Sequence, residues 1–388
     1  MALQQNTGRI QTTHIGSLPR PHALLDIMKA KLNHQPYDEQ EYKTKLKKAV
    51  ADCVKKQADC GIDIVTDGEF SKPGFFTYIQ ERLEGYEARP NQKLILFQQE
   101  VQAFPEYYAE YFKQAMMGGT LIPITPVVCV GPVKYRGEKL LQIDIDNVKA
   151  AATAAGVKPE HVFLPATAPS GVGINEYYKS DEEYFHALAA ELNKEYRAIV
   201  AAGLLVQVDD PFLPDIFYEP GLDDAQKKRR AEIYVEATNR ALQGIPPERV
   251  RFHTCYGINE GPRLYEASLA QIIDYVLRIN AGSYSFECAN PRHEHEYHLF
   301  ETVKVPDGKV LCPGVITHAS NIVEHPELIA ELIMRFAKLV GRENVIAAAD
   351  CGFSSQALYR TEVHDTVVWE KFKAMRQGAD IASKALWK

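Results

Sequence analysis

Short apolar runs alternate with longer stretches of helical periodicity along almost the whole chain, and that alternation limits the folds open to it. Eight runs of strand length occur, at 13–17, 62–69, 126–132, 204–211, 250–255, 283–287, 310–315 and 345–352. Each is rich in apolar residues and stops at glycine, proline or a polar side chain, as buried strands do. Between them, segments 38–60, 182–202, 223–243, 269–279 and 326–340 read as amphipathic helices. In the second of these, Phe185, Leu188, Ala189, Leu192, Tyr196 and Ile199 fall on one stripe. Strands that alternate with helices pair in parallel, and eight of them predict a closed (β/α)8 barrel, the TIM-barrel architecture. An open doubly wound sheet is the competing reading, but no G-x-G-x-x-G follows the first run.

Two stretches exceed what such a barrel needs. Segment 92–119 is rich in aromatics (Phe97, Phe104, Tyr107, Tyr108, Tyr111, Phe112) and is expected to cover the barrel mouth. Segment 134–180 carries a further apolar run at 162–165. Its proline and the glycines after it argue for an insertion packed over the mouth rather than a barrel strand. With no linker, repeat or low-complexity tract, residues 1–388 are expected to form a single domain.

At 46% hydrophobic and 24% charged residues, the chain has the balance of a soluble globular protein. Its net charge of −7 and lack of a basic block argue against a nucleic-acid partner. No apolar run is long enough to span a bilayer, and the first residues lack the pattern of a secretion signal. Seven cysteines, an odd number, fit reduced thiols in a cytoplasm better than a disulfide framework.

In a barrel the active site forms where the strands end. Here the runs end in Ser17, Glu69, Asp209, Asp210, His253, Cys255, Glu287, His318 and Cys351. His253 and Cys255 are two positions apart, so an extended strand projects both to one face. Imidazole, thiolates and a carboxylate are zinc ligands, and His253, Cys255, Glu287 and Cys351 make a four-ligand set. Cys288 is an alternative to Glu287 by spacing alone, and Cys312 lies inside a run and reads as buried. Glu69 and Asp209 are acids at the ends of apolar runs. They suit either the ammonium of a small substrate or a salt bridge to a nearby Lys or Arg. His318 reads as a general acid or as a hydrogen-bond donor to a metal ligand. The charged cluster 292–296 reads as an ion-paired loop rather than a second metal site.

Taken together, these residues resemble the C-terminal catalytic barrel of cobalamin-independent methionine synthase, and the resemblance runs from His14-Ile15-Gly16-Ser17 to Asp350-Cys351-Gly352. His253-Thr254-Cys255 is similar to that family's His-x-Cys pair, Glu287 to its zinc carboxylate and Cys351 to its last thiolate. The resemblance implies that Ile15, Gly16 and Ser17 bind the homocysteine carboxylate, and that Glu69 and Asp209 hold its amino group. It also implies Zn2+ as cofactor, homocysteine and a methyl donor as small-molecule partners, and compatibility with a homo-oligomer. His318 sits where the family has a histidine, although the expected Asp upstream is Thr317 here. No tryptophan follows Gly131-Pro132 as in the family's folate site, and the only tryptophans are Trp369 and Trp387. The implied reaction is zinc-dependent methyl transfer to homocysteine from methyltetrahydrofolate or another donor. A zinc alkyltransferase resembling the epoxyalkane:coenzyme M transferases is the alternative. The zinc-free uroporphyrinogen decarboxylase fold and a zinc-storing barrel without turnover are weaker ones.

Overall fold

The computed structural model describes residues 8–92, 97–114, 119–121, 123–257 and 260–388. Within these residues nine strands form two sheets: β1 (Leu83–Ala88), β2 (Val127–Tyr135), β3 (Phe163–Thr167), β4 (Ile174–Asn175), β5 (Leu205–Asp209), β6 (Val250–His253), β7 (Ser283–Phe286), β8 (Val310–Ile316) and β9 (Ala348–Ala349). Six of them make a curled, all-parallel sheet in the order β3-β5-β6-β7-β8-β9. Single parallel bridges join Val65 to Val162 at the β3 side, Ala347 to Thr12 at the β9 side, and Thr13 to Ile64 between them.

The helices expected from periodicity are present, at Glu39–Asp59, Asp181–Ala201, Asp224–Ala241, Leu269–Val276 and Pro326–Val340. Their starts are set by side chains that take up otherwise unpaired amides. Asp38 accepts from the Gln40 and Glu41 amides, Ser180 accepts from that of Glu183, and Asp223 with Gln226 forms a capping box. Further helices at His22–Leu32, Glu138–Ala154 and Asp365–Leu386 complete the outer layer. The apolar stripes of these helices meet the outer face of the sheet in one large core.

The inner face of the sheet has its own small core, made by Ile64, Phe163, Leu205, Val310, Cys312, Ile346 and Ala348. Arg251 lies buried among them, with its guanidinium 4.0 Å from the Phe163 ring centroid and hydrogen bonds to Thr13 Oγ1 and His14 O, both 2.8 Å. Strand alternation carries this inner face upward: Leu205 is followed on it by Gln207 and Asp209, and Arg251 by His253. The polar ends of the runs therefore gather above a packed interior.

Two strand assignments are corrected. Segment 162–165 is not an inserted loop: β3 pairs with β5 through five consecutive residues, Pro165 opposite Gln207 among them. Proline is tolerated because the bridging to the other neighbour has already ended at Val162 and Phe163, so no ladder bond requires its missing N–H. The run at 126–132, in contrast, is not in the large sheet. It belongs to β2, which pairs antiparallel with β1 and parallel with β4 in a separate three-stranded sheet. Buried Glu195 anchors this sheet by accepting from Tyr78 (2.9 Å) and Tyr135 (2.7 Å) and pairing with Arg82 (3.1 Å). The aromatic segment 92–119 lies partly outside the described residues. Its described part forms helices Gln98–Ala103 and Pro105–Gln114 and is fixed by Glu100, which accepts from the Tyr265 amide at 2.9 Å. No helix among the described residues is long and apolar enough to cross a membrane.

Candidate metal and thiol site

His253 ends β6, Cys255 lies two residues beyond it, and Cys351 follows β9. The fold brings them together: Cys351 Sγ is 3.2 Å from Cys255 Sγ and 3.8 Å from His253 Nε2. All three side chains are buried, and their ligand atoms lie within 4.8 Å of one another. The cysteines are free thiols. The cost of ionising Cys255 is high. The neighbouring Cys351 thiol, burial and the Glu287 charge together push the Cys255 thiol well above its usual range. Burial, with the charges of Arg251 and His318, pushes His253 down to about 3, so its imidazole is neutral, the form that ligates metal. His253 Nδ1 is buried with no hydrogen-bond partner among the described residues. Two soft sulfurs and a neutral imidazole converging where anionic thiolates lack compensation are a donor set suited to a divalent cation.

Glu287 is placed differently. Its ligand atom groups with His318 and Asp350, beside the three donors rather than among them. Its carboxylate accepts from Arg263 Nη2 (2.7 Å), Asn290 Nδ2 (2.8 Å) and the Tyr256 amide (3.2 Å). Asp350 is filled by the Cys288, Ala289 and Asn290 amides at 2.7–2.9 Å. Cys288 turns away and donates to His293 O at 3.5 Å. His318 is buried and does not line the adjoining cleft.

That cleft measures about 1210 Å³ out to its open mouth, and Ile15, Ser17, Glu69, Asp209, His253, Cys255 and Cys351 all line it. Glu69 and Asp209 line the same cleft, Asp209 in register with His253 on the neighbouring strand. Burial and the Glu69 charge hold the Asp209 carboxyl well above the usual carboxylate range. Two buried acids in this relation favour a cation between them. Lys72, which sequence reading missed, is partly that cation: its Nζ is 3.3 Å from Glu69 Oε2 and donates to Pro165 O at 2.6 Å. Asp209 has no such lysine bond and accepts from Gln207 Nε2 at 2.7 Å. Glu69 itself has a left-handed backbone (φ 59°), held by its amide donating to Asp67 Oδ1 at 2.8 Å and by Arg20 donating to its carbonyl, also at 2.8 Å.

The loop at Ile15-Gly16-Ser17 abuts this pair. Gly16 has φ +137°, and a Cβ there would come within 2.9 Å of Glu69 Oε1 and 2.6 Å of Pro165 Cγ, so only glycine fits. Gly352 likewise makes room for Ser17, whose Oγ would be 2.0 Å from an added Cβ. Ser17 O accepts from the Phe353 amide at 3.0 Å, fixing the loop beside Cys351.

The profile of the cobalamin-independent synthase catalytic domain matches residues 10–134 and 148–378. The chain belongs to this family. Among the relatives of this cobalamin-independent synthase domain is a methionine synthase of Thermococcus kodakarensis, 24% identical over 97% of this chain and 94% of that protein. A methionine synthase of Saccharolobus solfataricus is also 24% identical, over 97% and 96%. The B12-independent methionine synthase of Shewanella sp. W3-18-1, solved in complex with selenomethionine, shares the fold. Its TM-score is 0.72 at 21% identity, covering 97% of this chain and 99% of that one.

Sequence reading also missed Arg263 and the aromatic wall of the cleft. Arg263 lies in the loop after β6 with nothing local to mark it. Phe75, Phe76 and Phe212 do carry a signal, since they follow closely on the acids Glu69 and Asp209.

Proposed function

We propose that the chain is a zinc-dependent methyltransferase that moves a methyl group to the thiol of homocysteine, forming methionine. The observation that carries this reading is one cleft lined both by His253, Cys255 and Cys351 and by Glu69 and Asp209. An amino-acid thiol has one end chemically matched to each set. When bound there, zinc keeps a substrate thiol deprotonated at neutral pH and leaves it nucleophilic. The chain's own residues do the rest. Glu69 and Asp209 take the substrate ammonium, and the Ile15-Gly16-Ser17 loop receives its carboxylate through backbone and hydroxyl groups. Glu287 is the fourth protein donor, available when Arg263 releases it, and Cys288 remains the less favoured candidate because its thiol points elsewhere. His318 acts through Glu287 and Asp350, its neighbours.

The parallel sheet with its three bridges supports reading the fold as a closed (β/α)8 barrel in one domain, its site at the carboxyl ends of the strands. Thiols that must stay reduced to bind metal support a cytoplasmic setting. The cleft is open and its lining continues past the thiol end to Phe75, Phe76 and Phe212, which supports a place there for the methyl donor, 5-methyltetrahydrofolate or another.

Calorimetric titration of zinc-loaded protein with homocysteine and with coenzyme M, in two buffers of different ionisation enthalpy, tests this reading. Proton release with homocysteine is expected. Release with coenzyme M alone would move the assignment to alkyl transfer onto a sulfonate thiol, and silence with both would remove the thiol chemistry.

A further inference from the structure

The outer part of the cleft has a chemistry that the homocysteine end does not require. Phe75, Phe76 and Phe212 are half-buried and mutually packed, with ring centroids 4.9 Å (75–76), 5.9 Å (76–212) and 6.3 Å (75–212) apart. Phe97 joins the same wall. Two carboxylates, Asp215 and Glu362, line it as well, in addition to Glu69 and Asp209. Each has one neutral partner: Asp215, which burial raises to about 7, accepts from the Tyr218 hydroxyl, and Glu362 accepts from that of Tyr111 at 3.0 Å. Among the described residues that line the cleft there is no lysine and no arginine. Aromatic faces carry negative charge at their centres and, with nearby carboxylates, attract cations that cannot make hydrogen bonds.

We infer that the methyl donor is a small onium compound, a sulfonium or a quaternary ammonium, seated against Phe75, Phe76 and Phe212 in the cleft that Glu362 also lines. This deepens the methyl-transfer reading above and rests on it for its chemistry. The step balances without a further reactant. The lone pair of the substrate thiolate forms the new S–CH3 bond, the bond from that methyl to the donor's S⁺ or N⁺ breaks, and its electron pair stays on the donor. The donor leaves as a neutral thioether or tertiary amine centre. The thiol proton has already gone to solvent on binding. No proton reaches the leaving group, so the position of His318 outside the cleft is no obstacle.

The test is equilibrium binding, which needs neither turnover nor zinc. Tetramethylammonium is titrated by calorimetry into wild-type protein and into Phe212→Leu and Phe76→Leu variants, which keep apolar bulk but remove the ring. Binding that weakens about tenfold or more in the variants is expected. Absence of binding, or binding indifferent to both rings, would overturn the inference. Methionine formation from homocysteine with S-methylmethionine or with glycine betaine then distinguishes the sulfonium from the ammonium source. Turnover with 5-methyltetrahydrofolate triglutamate but with neither onium would overturn the inference and leave the homocysteine reading standing. Loss of proton release with homocysteine, measured separately, would strike the homocysteine reading alone.

Discussion

Arg263 Nη2 lies 2.7 Å from Glu287 Oε2, so the acid that the sequence offers as a metal ligand is held by a buried guanidinium. Arg263 also grips Glu266, Nε to Oε1, at 2.6 Å. Removing the cation leaves the buried Glu287 carboxylate without its charge partner and Glu266 with His293 alone. Arg263→Met should therefore cost about 3–5 kcal/mol in urea denaturation of the metal-free protein. Added zinc should recover more stability in the variant than in the wild type, because Glu287 is then free to turn towards it. Equal recovery in both proteins would show that Glu287 stays out of the metal's reach.

The thiols make a sharper demand. With Cys255 and Cys351 3.2 Å apart, each is half of one soft-donor pair. Cys255→Ala and Cys351→Ala should each weaken zinc by more than the roughly 10–100-fold typical of residues that only support a ligand. Competition with a coloured chelator measures it, and wild-type affinity in either variant would dismiss the site.

Glu69→Gln removes a charge from the acid pair but keeps its shape. Losing one charge-assisted hydrogen bond of about 1.5–3 kcal/mol should weaken homocysteine about 10–100-fold, with zinc content unchanged. A thiol without an amino group should bind the variant and the wild type alike. Parallel losses for both thiols would point to a collapsed cleft.

His293 provides a pH-dependent prediction. Burial opposes its charge, but hydrogen bonds to Glu266 (3.0 Å) and Glu296 (2.8 Å) outweigh that and raise it from 6.5 to about 9. A raised histidine contributes stability that is fully present below 6.5 and lost as the pH climbs through about 9. The difference is on the order of 3 kcal/mol. Denaturation midpoints should fall across that window in the wild type and fall less in His293→Gln. Identical slopes would mean that the histidine is not pinned as a cation.

Much of the chemistry was legible because strand alternation is a local property. On an extended strand His253 and Cys255 share a face, and they converge here although β6 itself ends at His253; polar residues at the ends of apolar runs mark the rim of the cleft. Sheet membership is less local. The run at 126–132 has the composition of a barrel strand, yet its partner is β1, and nothing within the run distinguishes the two sheets. Pro165 misled for the opposite reason: proline weakens a strand only where its amide is needed, which depends on a neighbour far away in sequence. The same holds for charges. Lys72, three residues beyond Glu69, was within sight of a local rule, whereas the grip of Arg263 on Glu287 depends on the loop geometry after β6.

The loop at Ser17 and the turn at Gly352 lock together, and Arg20 fastens them by donating to Ser354 O, 334 positions away in the sequence. During synthesis, then, the first part of the pocket emerges from the ribosome long before the residues that complete it. Glu69 finds Lys72 and Arg20 in the same early part of the sequence, but Cys255 has no second thiol until the last strand and Cys351 are out. A chain that stops short of Cys351 lacks one of the two thiols, and a circular permutant that joins the two ends would be expected to bring forward the moment at which the site first assembles.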